Sequence, residues 1–469
     1  MSPLLATLVY AAGIAAIFYW DRDEDAHTSW FLWVPIVWLL INGSRPVSAW
    51  FQTGVAASET VSDGSPLDAA VYGAVIAAGL VVLCTRGRRV IDFVKSNPVI
   101  VVFAAYCLIS CMWSDDGFVA FKRWIKSVGD VVMIVIVLTD QDPLAAIKRF
   151  FCRAAYVLIP ASILCIKYFP QWGRTYNPWT WEPMYTGVTT FKNLLGMTVL
   201  VGGLSTLWCL IRSWNELHGK RRWQHIGAEL SILAMSVYLL LTADSMTSFS
   251  CLLLAGTVMV VASQSWVKRW PWILHLTVVV VITIAVVALF FDSSGDMVKE
   301  LGRNSTLTGR TAIWSEVIVL TRQFPWFGAG FESFWMGDRL LTMWKVVKGI
   351  QEAHDGYLEV YANLGLVGVA FLGTLIVIGY RHVMDAWSRN VTIGTVKMGF
   401  FAAALIYSLT EAGFRMMSPV WLGFLLAIST IPPRRLKKEA VIAPPQWVAM
   451  EEEECASLAT AYKGGVQAV

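Results

Sequence analysis

The sequence predicts an all-α integral membrane protein with 12–13 transmembrane helices and one long, partly helical loop. Its 469 residues are 56% hydrophobic and 15% charged, and the mean hydropathy is +0.58. A soluble domain carries about a quarter charged residues. Apolar stretches recur along the whole chain, and the short loops between them hold most of the charge. This pattern is typical of a protein that crosses a bilayer many times.

Thirteen apolar stretches are predicted to be the membrane helices. A hydrocarbon core about 30 Å thick needs roughly 20 apolar residues per helix. Several stretches are shorter than this, so their ends are defined only to within a few residues. For the stretch at 30–41, two predictions stay open: a helix longer than these twelve residues, or a re-entrant segment. The predicted spans are 4–20, 30–41, 67–84, 98–113, 127–140, 154–169, 191–211, 229–243, 249–264, 271–291, 357–379, 394–411 and 416–431.

The basic residues predict which side of the membrane each loop faces. Short cytoplasmic loops are enriched in Lys and Arg, and if each span crosses once, the basic clusters recur on one side. The protein is therefore predicted to lie in a bacterial inner membrane with these clusters in the cytoplasm. Lys122, Arg123 and Lys126 are an exception, because they fall on the periplasmic side. The cytoplasmic clusters are 86–95, 148–153, 220–222, 268–269, 381–389 and 434–438.

Four regions follow from these spans. Residues 1–291 carry the N-terminal helices, 292–356 form a long periplasmic loop, 357–433 carry the last helices, and 434–469 form a disordered cytoplasmic tail. The loop is rich in aromatic residues, and long ordered loops are usually functional. Within it, amphipathic helices are predicted over 311–323 and 333–348, with a turn from Pro325 to Gly330 between them.

The composition gives no sign of a cofactor, a metal site or nucleic acid. The net charge of +4 is small, and the chain has no phosphate-binding loop, dinucleotide fingerprint or zinc-protease motif. Polar residues gather instead at the periplasmic ends of the predicted helices, and these are the candidate functional residues.

Arg303 and Arg310 open the long loop together with several hydroxyl side chains. Arginine presents a planar fork that binds phosphate in a bidentate manner, so the two residues are candidates for a phosphate clamp. A solvated loop, in which Ser305 or Thr308 caps the following helix, explains the pattern equally well.

His354 lies where the long loop meets the membrane, between Glu352 and Asp355. A histidine whose pKa is near the working pH can take a proton from a hydroxyl group, and neighbouring carboxylates can orient its ring. The alternative interpretation is an interfacial histidine beside a helix cap at Asp355.

Four more residues are candidates for binding an anionic lipid headgroup. Lys192 and Asn193 begin an apolar span, where a lysine is costly unless it pairs or extends toward the interface. Arg174 precedes them in a periplasmic loop, and Arg45 lies at another periplasmic helix end.

These residues belong to a recognisable pattern. Leu307 to Trp314, the turn from Pro325 to Gly330, and His354 followed by Leu358-Glu359 and Asn363-Leu364-Gly365 resemble the O-antigen ligase and polymerase superfamily. Gly43 to Pro46, Trp113 to Asp115, Lys122 to Trp124, and Thr186 to Val188 with Lys192-Asn193 resemble its exopolysaccharide polymerase branch. The resemblance covers roughly residues 30–430.

The resemblance implies a membrane glycosyltransferase of the GT-C-like fold class. It implies an inverting, metal-independent transfer, at the periplasmic face, from an undecaprenyl-diphosphate-linked glycan donor to a hydroxyl of a glycan acceptor. The family's catalytic histidine matches His354, and its loop arginine matches Arg310. Expected partners are the lipid bilayer and the flippase and chain-length or export proteins of the same pathway. O-antigen ligases often carry a basic residue where this chain has Asp244, which favours a polymerase.

Other functions remain open at this point. A ligase that joins glycan to a lipid A core, or to another acceptor such as a protein, shares nearly all of these features. A polysaccharide or lipid transporter would have ionisable residues near mid-membrane and internal repeats, whereas here the charges gather at one face. The predicted mechanism uses Arg310, helped by Arg303, Arg174 and Lys192, to stabilise the diphosphate leaving group. His354 orients or deprotonates the acceptor, supported by Glu352 or Asp355.

Overall fold

A computed structural model describes residues 1–22, 27–51, 65–176, 181–291, 307–347 and 349–431, except the side chains of 289–291 and 307–309. Over these residues the protein is almost entirely α-helical, which confirms the predicted fold class. Residues Met1–Ile431 form one compact unit. The predicted tail at 434–469 and the candidate Arg303 lie outside the described residues.

The helices are numbered in chain order, and three short 3₁₀ helices lie between them. A two-stranded antiparallel hairpin, which was not predicted, pairs β1 (Arg174–Tyr176) with β2 (Pro183–Tyr185). The helices are α1 (Pro3–Trp20), α2 (Trp33–Asn42), α3 (Val47–Phe51), α4 (Pro66–Thr85), α5 (Gly87–Ser96), α6 (Pro98–Ser110), α7 (Gly117–Leu138), α8 (Pro143–Tyr168), α9 (Pro170–Gly173), α10 (Lys192–Glu216), α11 (Gly219–Thr242), α12 (Met246–Ala262), α13 (Trp272–Phe291), α14 (Leu307–Thr321), α15 (Gly337–Val346), α16 (Gly356–Arg389), α17 (Val391–Tyr407) and α18 (Pro419–Ile428).

Six of the described helices are long and apolar enough to cross a membrane: α1, α4, α8, α10, α11 and α16. The pair α5 and α6 is bent by 87° and becomes a seventh if it counts as one span. Five shorter apolar helices, around α2, α12, α13, α17 and α18, accompany them. Every predicted span overlaps a helix, and the predicted total of 12–13 crossings requires the shorter helices to cross as well.

The helices α7, α8 and α11 begin about ten residues earlier than the apolar pattern predicts, and in α7 and α8 charged residues of the added turns have partners. The helix α8 starts at Pro143 and includes Lys148, whose ammonium lies 2.6 Å from a carboxylate oxygen of Asp21. The helix α7 starts at Gly117 and includes Lys122, Arg123 and Lys126, the basic residues predicted on the periplasmic side. Arg123 donates to the backbone carbonyl of Glu332. These partners satisfy charges that would otherwise be costly within a helical bundle.

The long segment between α13 and α16 has a small hydrophobic core of its own. Ile313 and Val317 on α14 face Met343 on α15, and the fully buried Phe334 lies among them. The predicted helices at 311–323 and 333–348 correspond to α14 and α15, and the predicted turn lies between them. The described part of the segment is therefore a packed layer over the helix ends.

The helix α16 is broken at Gly365, whose φ of +67° is favourable only for glycine. A break leaves backbone groups without helical partners, and here the turn after α14 supplies them. Ala329 and Gly330 donate to the carbonyls of Ala362 and Asn363, and the amides of Leu366 and Val367 donate to Pro325 and Trp326. The packed layer is thus joined to α16 by backbone hydrogen bonds.

Candidate active site

The loop between α17 and α18 carries the carboxylate at the centre of the candidate site. The predicted span 394–411 placed Glu411 inside a helix, but α17 ends at Tyr407. Asp130 on α7 is completely buried and accepts hydrogen bonds from the Trp38 indole and the Met417 amide, both at 2.8 Å. This anchors the loop, so that Glu411 has a fixed position beside α10 and α16.

Three side chains from different parts of the chain bind Glu411. Arg310 on α14 contacts one carboxylate oxygen through Nη2 at 2.7 Å. His354 Nδ1 lies 3.1 Å from the other oxygen, and the Asn193 amide on α10 donates to that same oxygen at 2.9 Å. The structure therefore brings together three of the residues singled out in the sequence, around a fourth that the sequence did not single out.

A second carboxylate extends this network away from Glu411. Glu352 lies 3.1 Å from His354 Nδ1 and 3.9 Å from Arg415 Nη1. Arg415 Nε in turn contacts Glu332 at 3.2 Å. Three carboxylates thus alternate with two guanidinium groups and one imidazole.

The backbone around His354 is shaped to hold its ring in this network. His354 has a φ of +49°, in the left-handed region that side-chain-bearing residues rarely occupy. The next residue, Asp355, is the N-cap of α16 and accepts hydrogen bonds from the amides of Tyr357 and Leu358, both at 2.9 Å. The amide of Gly356 donates to the backbone carbonyl of Ser408 at 2.7 Å. A Cβ at this glycine would lie 2.8 Å from the Cβ of Ser408.

This close approach of Gly356 to Ser408 positions the two halves of the site. Ser408 begins the loop that carries Glu411, while Gly356 follows His354 in the chain. A side chain at position 356 would force the two segments apart, and only glycine avoids this.

The electrostatic environment keeps His354 protonated at neutral pH. Burial lowers the pKa of the imidazole, but hydrogen bonds and charge from Glu352 and Glu411 outweigh this and raise the pKa from 6.5 to about 9. Burial likewise raises the pKa of the Glu352 carboxyl, but His354, Arg415 and Arg310 together hold it below its ordinary value. The ring therefore carries protons on both nitrogens, and Glu352 remains ionised.

Several predicted site residues have other contacts. Arg45 donates to the backbone carbonyls of Val188 at 3.3 Å and Thr189 at 3.0 Å, and also to that of Trp172. Arg174 donates to the carbonyl of Ile166 at 2.9 Å. These contacts give both arginines a role in holding the loop that leads into α10. Their predicted contact with substrate stays a prediction.

Lys192 and Asp355 also differ from the predicted arrangement. Lys192 is the first residue of α10 and is exposed, one residue before Asn193. Asp355 was predicted to support the histidine ring, but its carboxylate caps α16. The two carboxylates on the ring are Glu352, as predicted, and Glu411.

Sequence reasoning missed Glu411, Arg415 and Glu332. Glu411 was placed at the end of the predicted span 394–411, and Arg415 in the short connection between that span and the next. A glutamate at the end of an otherwise apolar span is unusual, and this was the available signal. Glu332 gives no such signal, because charged residues are common in a long polar loop.

Two groups of side chains in the described residues have donor atoms placed as in a metal site. Glu352, His354 and Glu411 form one, and Asp21, His225 and Glu229 form the other, with the donor atoms of each within 4.8 Å of one another. In the first group, Arg310 and Asn193 already contact the carboxylate of Glu411, and Arg415 lies near that of Glu352. In the second, the Lys148 ammonium lies beside Asp21. Both groups are better matched to internal ion pairs than to a cation.

Comparisons with known proteins show what this chain is similar to. A family model described as O-antigen ligase matches residues 230–373. The chain is 22% identical over 365 residues to "Exopolysaccharide production protein ExoQ" of Rhizobium meliloti (strain 1021), which covers 74% of this chain and 80% of that protein. The family match contains Arg310, Glu352 and His354 and ends before Glu411. Together with the apolar helices, these similarities indicate a multi-pass membrane protein.

Proposed function

The chain belongs to the O-antigen ligase and polymerase superfamily, and we propose that it polymerises undecaprenyl-diphosphate-linked oligosaccharide repeat units into exopolysaccharide. The reaction is an inverting, metal-independent glycosyl transfer at the periplasmic face of the inner membrane. Homology to ExoQ and to the ligase family supports a membrane glycosyltransferase of the ligase or polymerase type. The printed name of ExoQ, a protein of exopolysaccharide production, favours polymerisation.

The contact of both Arg310 and His354 with Glu411 is the observation that carries this proposal. This contact gathers two cationic groups around one carboxylate. The carboxylate lies near the first residues of α10 and α16 and the last residue of α17, where several helices have a terminus. A lipid diphosphate has its headgroup at such a level while its tail remains in the bilayer. The basic residues Arg86, Lys148 and Arg389 lie toward the other ends of their helices, which supports a periplasmic site.

In the proposed reaction, a hydroxyl oxygen of the acceptor attacks the anomeric carbon of the donor. The bond from that carbon to the phosphate oxygen breaks, and undecaprenyl diphosphate leaves with the electron pair. Negative charge therefore grows on the diphosphate, and fixed cations placed there stabilise the transition state more than the ground state. Arg310, which is partly exposed, is the residue best placed to supply this charge, with the His354 imidazolium beside it.

The acceptor proton goes to Glu411 in this scheme. When Arg310 turns from Glu411 to the incoming diphosphate, one oxygen of Glu411 loses its partner and becomes a proton acceptor. Binding of the donor would therefore create the base that activates the acceptor. The sequence suggested that His354 deprotonates or orients the acceptor. The raised pKa of about 9 favours the orienting role for its ring and leaves the proton to Glu411.

A ligase reaction is the second candidate, because the matching family model is described as O-antigen ligase. Such an enzyme uses the same donor and the same leaving group, and it differs in passing the glycan to a lipid A core. The turn between α11 and α12 bears on this choice. It carries Asp244, with a φ of +51°, where ligases often have a basic residue. This favours the polymerase.

The test is reconstitution of the purified full-length chain in nanodiscs with its lipid-linked repeat units, scored as a ladder of glycan lengths. We expect a ladder from the wild type and from Arg322→Ala, an exposed arginine just beyond α14. Arg310→Ala and His354→Ala should give none, although both variants elute as monodisperse protein in equal yield. Ladders of wild-type length from both variants would refute the site. Transfer to added lipid A core, without a ladder, would identify a ligase.

A further inference from the structure

A groove of about 600 Å³ lies beside the turn between α14 and α15. It is separate from the Glu411 cluster, by which we mean Glu411 with Asn193, Arg310, Glu352 and His354. Aromatic rings dominate its lining, and a few polar side chains lie among them. Trp326 and Phe327 are 62% and 55% exposed, although the backbone of their turn is hydrogen-bonded to α16. The polar and aromatic residues that line it include Trp113, Asp115, Gln323, Trp326, Phe327 and Arg339. Exposed apolar patches with a polar rim usually mark binding sites.

The groove is held rigidly, so its rings are already in place before any ligand arrives. The Trp113 indole donates to the carbonyl of Phe327 at 3.3 Å, and the two rings meet edge to face with centroids 5.8 Å apart. Gly328 and Gly365 lie so close to the opposing backbone that a Cβ on either would come within 2.5 Å of it. Binding to such a preformed surface has a small ordering cost.

Two polar side chains of the groove, Arg339 and Asp115, form an ion pair, and Gln323 is a third polar group in the lining. Arg339 donates through Nε to the carbonyl of Phe334 at 3.2 Å, through Nη2 to that of Ser333 at 3.0 Å, and also pairs with Asp115. The Asp115 side chain is 45% exposed, so its carboxylate faces solvent as well as the arginine. Gln323 adds an exposed amide, which can donate and accept.

We propose that this groove binds the glycan itself, as a subsite for a saccharide unit distant from the bond being formed. Sugar rings present C–H faces, which pack on the electron-rich faces of aromatic rings, and hydroxyl groups, which pair with carboxylate, guanidinium and amide groups. Trp326 and Phe327 supply the first kind of contact. Asp115, Arg339 and Gln323 supply the second. This inference rests on the proposed function, since it assigns a position to that reaction's substrate or product.

An acyl chain fits the groove poorly. It would pack against the rings but would leave the Asp115–Arg339 pair and the Gln323 amide facing hydrocarbon, without water or hydroxyl groups. A neutral saccharide satisfies both halves of the lining.

The groove lies at a distance from His354 that suits a glycan several rings long. The helical segment from Gly356 to Leu364 separates His354 from the groove, and it spans about 13 Å at 1.5 Å per residue. A glycan that occupies both places would be held at the reacting sugar and again further along its length. Such a second contact keeps a growing chain bound between successive transfers.

The test measures binding and catalysis separately. The probe is the oligosaccharide repeat unit released from its lipid by mild acid, titrated into the full-length protein in nanodiscs by calorimetry. Trp326→Ala removes a mostly exposed ring, and Trp270→Ala removes a ring of similar exposure (58%) far along the chain from the groove. We expect Trp326→Ala to weaken binding by about tenfold, and Trp270→Ala to leave it unchanged. Gln323→Ala should weaken binding by a smaller factor.

The same variants give a catalytic readout. Trp326→Ala should shorten the glycan ladder while still forming the first linkages, because the Glu411 cluster is intact. His354→Ala should make no ladder but bind the released repeat unit as tightly as the wild type. Wild-type affinity for the repeat unit in both Trp326→Ala and Gln323→Ala would refute the groove as a glycan-binding subsite. A wild-type protein that binds the repeat unit at the groove but makes no polymer would instead refute the proposed function.

Discussion

Arg310 contacts one carboxylate oxygen of Glu411 at 2.7 Å, and His354 contacts the other at 3.1 Å. The two cations therefore share a single anion, and neither can be lost without changing the partner of the other. Glu411 is 5% exposed, so water can compensate little for a lost partner. This shared carboxylate leads to the first prediction.

Glu411→Gln should lower the rate of glycan transfer by about 100-fold or more, because an amide cannot accept the acceptor proton. Gln has nearly the same size as Glu, so the fold should be kept, although the charge that balances Arg310 and His354 is lost. Single-turnover assays with lipid-linked repeat units measure the rate, and thermal unfolding measures the stability. Glu316→Gln on α14 serves as the control, since Glu316 is half-buried and outside the cluster. Wild-type rates in Glu411→Gln would remove this residue from the mechanism.

The activity should be steady through neutral pH and fall as the pH rises through about 9, where His354 loses its proton. A base at this position would give the opposite profile, with activity rising up to that pH. Initial rates between pH 6 and 10 distinguish the two. The descending limb should be absent in the residual activity of His354→Gln.

The same group makes stability depend on pH. The folded pKa of about 9 exceeds the unfolded value of 6.5, so the stabilising contribution of His354 is complete below pH 6.5 and is lost as the pH rises through 9. At about 1.4 kcal/mol per pKa unit the upper limit of this loss is roughly 3 kcal/mol. The midpoint temperature of thermal unfolding should therefore fall between pH 6.5 and 9 in the wild type, and fall less in His354→Gln. Parallel curves for the two proteins would contradict the raised pKa.

Gly356→Ala should separate His354 from Glu411, because the added Cβ would meet the Ser408 side chain at 2.8 Å. We expect activity to fall at least about tenfold, since misplacing a catalytic group by about 1 Å is costly. Gly373 lies in the same helix with no atom near its would-be Cβ. Gly373→Ala should therefore keep full activity and bind glycan normally. Equal activity in the two variants would show that the contact with Ser408 does not position the site.

Removing divalent metals should leave the rate of transfer unchanged. In our proposal Arg310, His354 and Arg415 supply the positive charge of the site, so the transition state needs no metal ion. The measurement is a ladder assay after dialysis against chelator, compared with the same sample after Mg²⁺, Mn²⁺ or Zn²⁺ is restored. If the chelated sample lost activity and one metal restored it, Glu352, His354 and Glu411 would be reassigned as metal ligands.

The fold was predictable where burial alone decides it. The length of the apolar stretches placed every predicted span on a helix, and the helical spacing of Ile313, Val317 and Leu320 predicted α14. The predictions failed where a distant charge intervenes. Nothing local to Lys148 shows that Asp21 will pair with it, so α8 was predicted to begin too late.

The candidate site was predictable in part for the same reason. Motifs singled out Arg310, His354, Glu352 and Asn193, each of which contacts the cluster. Glu411 and Arg415 depend on where α17 ends, and that end is set by the contact of Ser408 with Gly356 from another helix. A pattern along the chain contains no information about such a contact.

The broken helix α16 has a consequence for the proposed polymerisation. Carbonyl and amide groups freed at Gly365 are paired with the turn from Pro325 to Gly330, and Tyr106 donates to the carbonyl of Leu364 at 2.8 Å. Pulling the turn away would leave several peptide groups unpaired where water is scarce, at a cost of a few kcal/mol. The frame around the reaction is therefore stationary. With each added repeat unit, it is the saccharide that must advance past the protein.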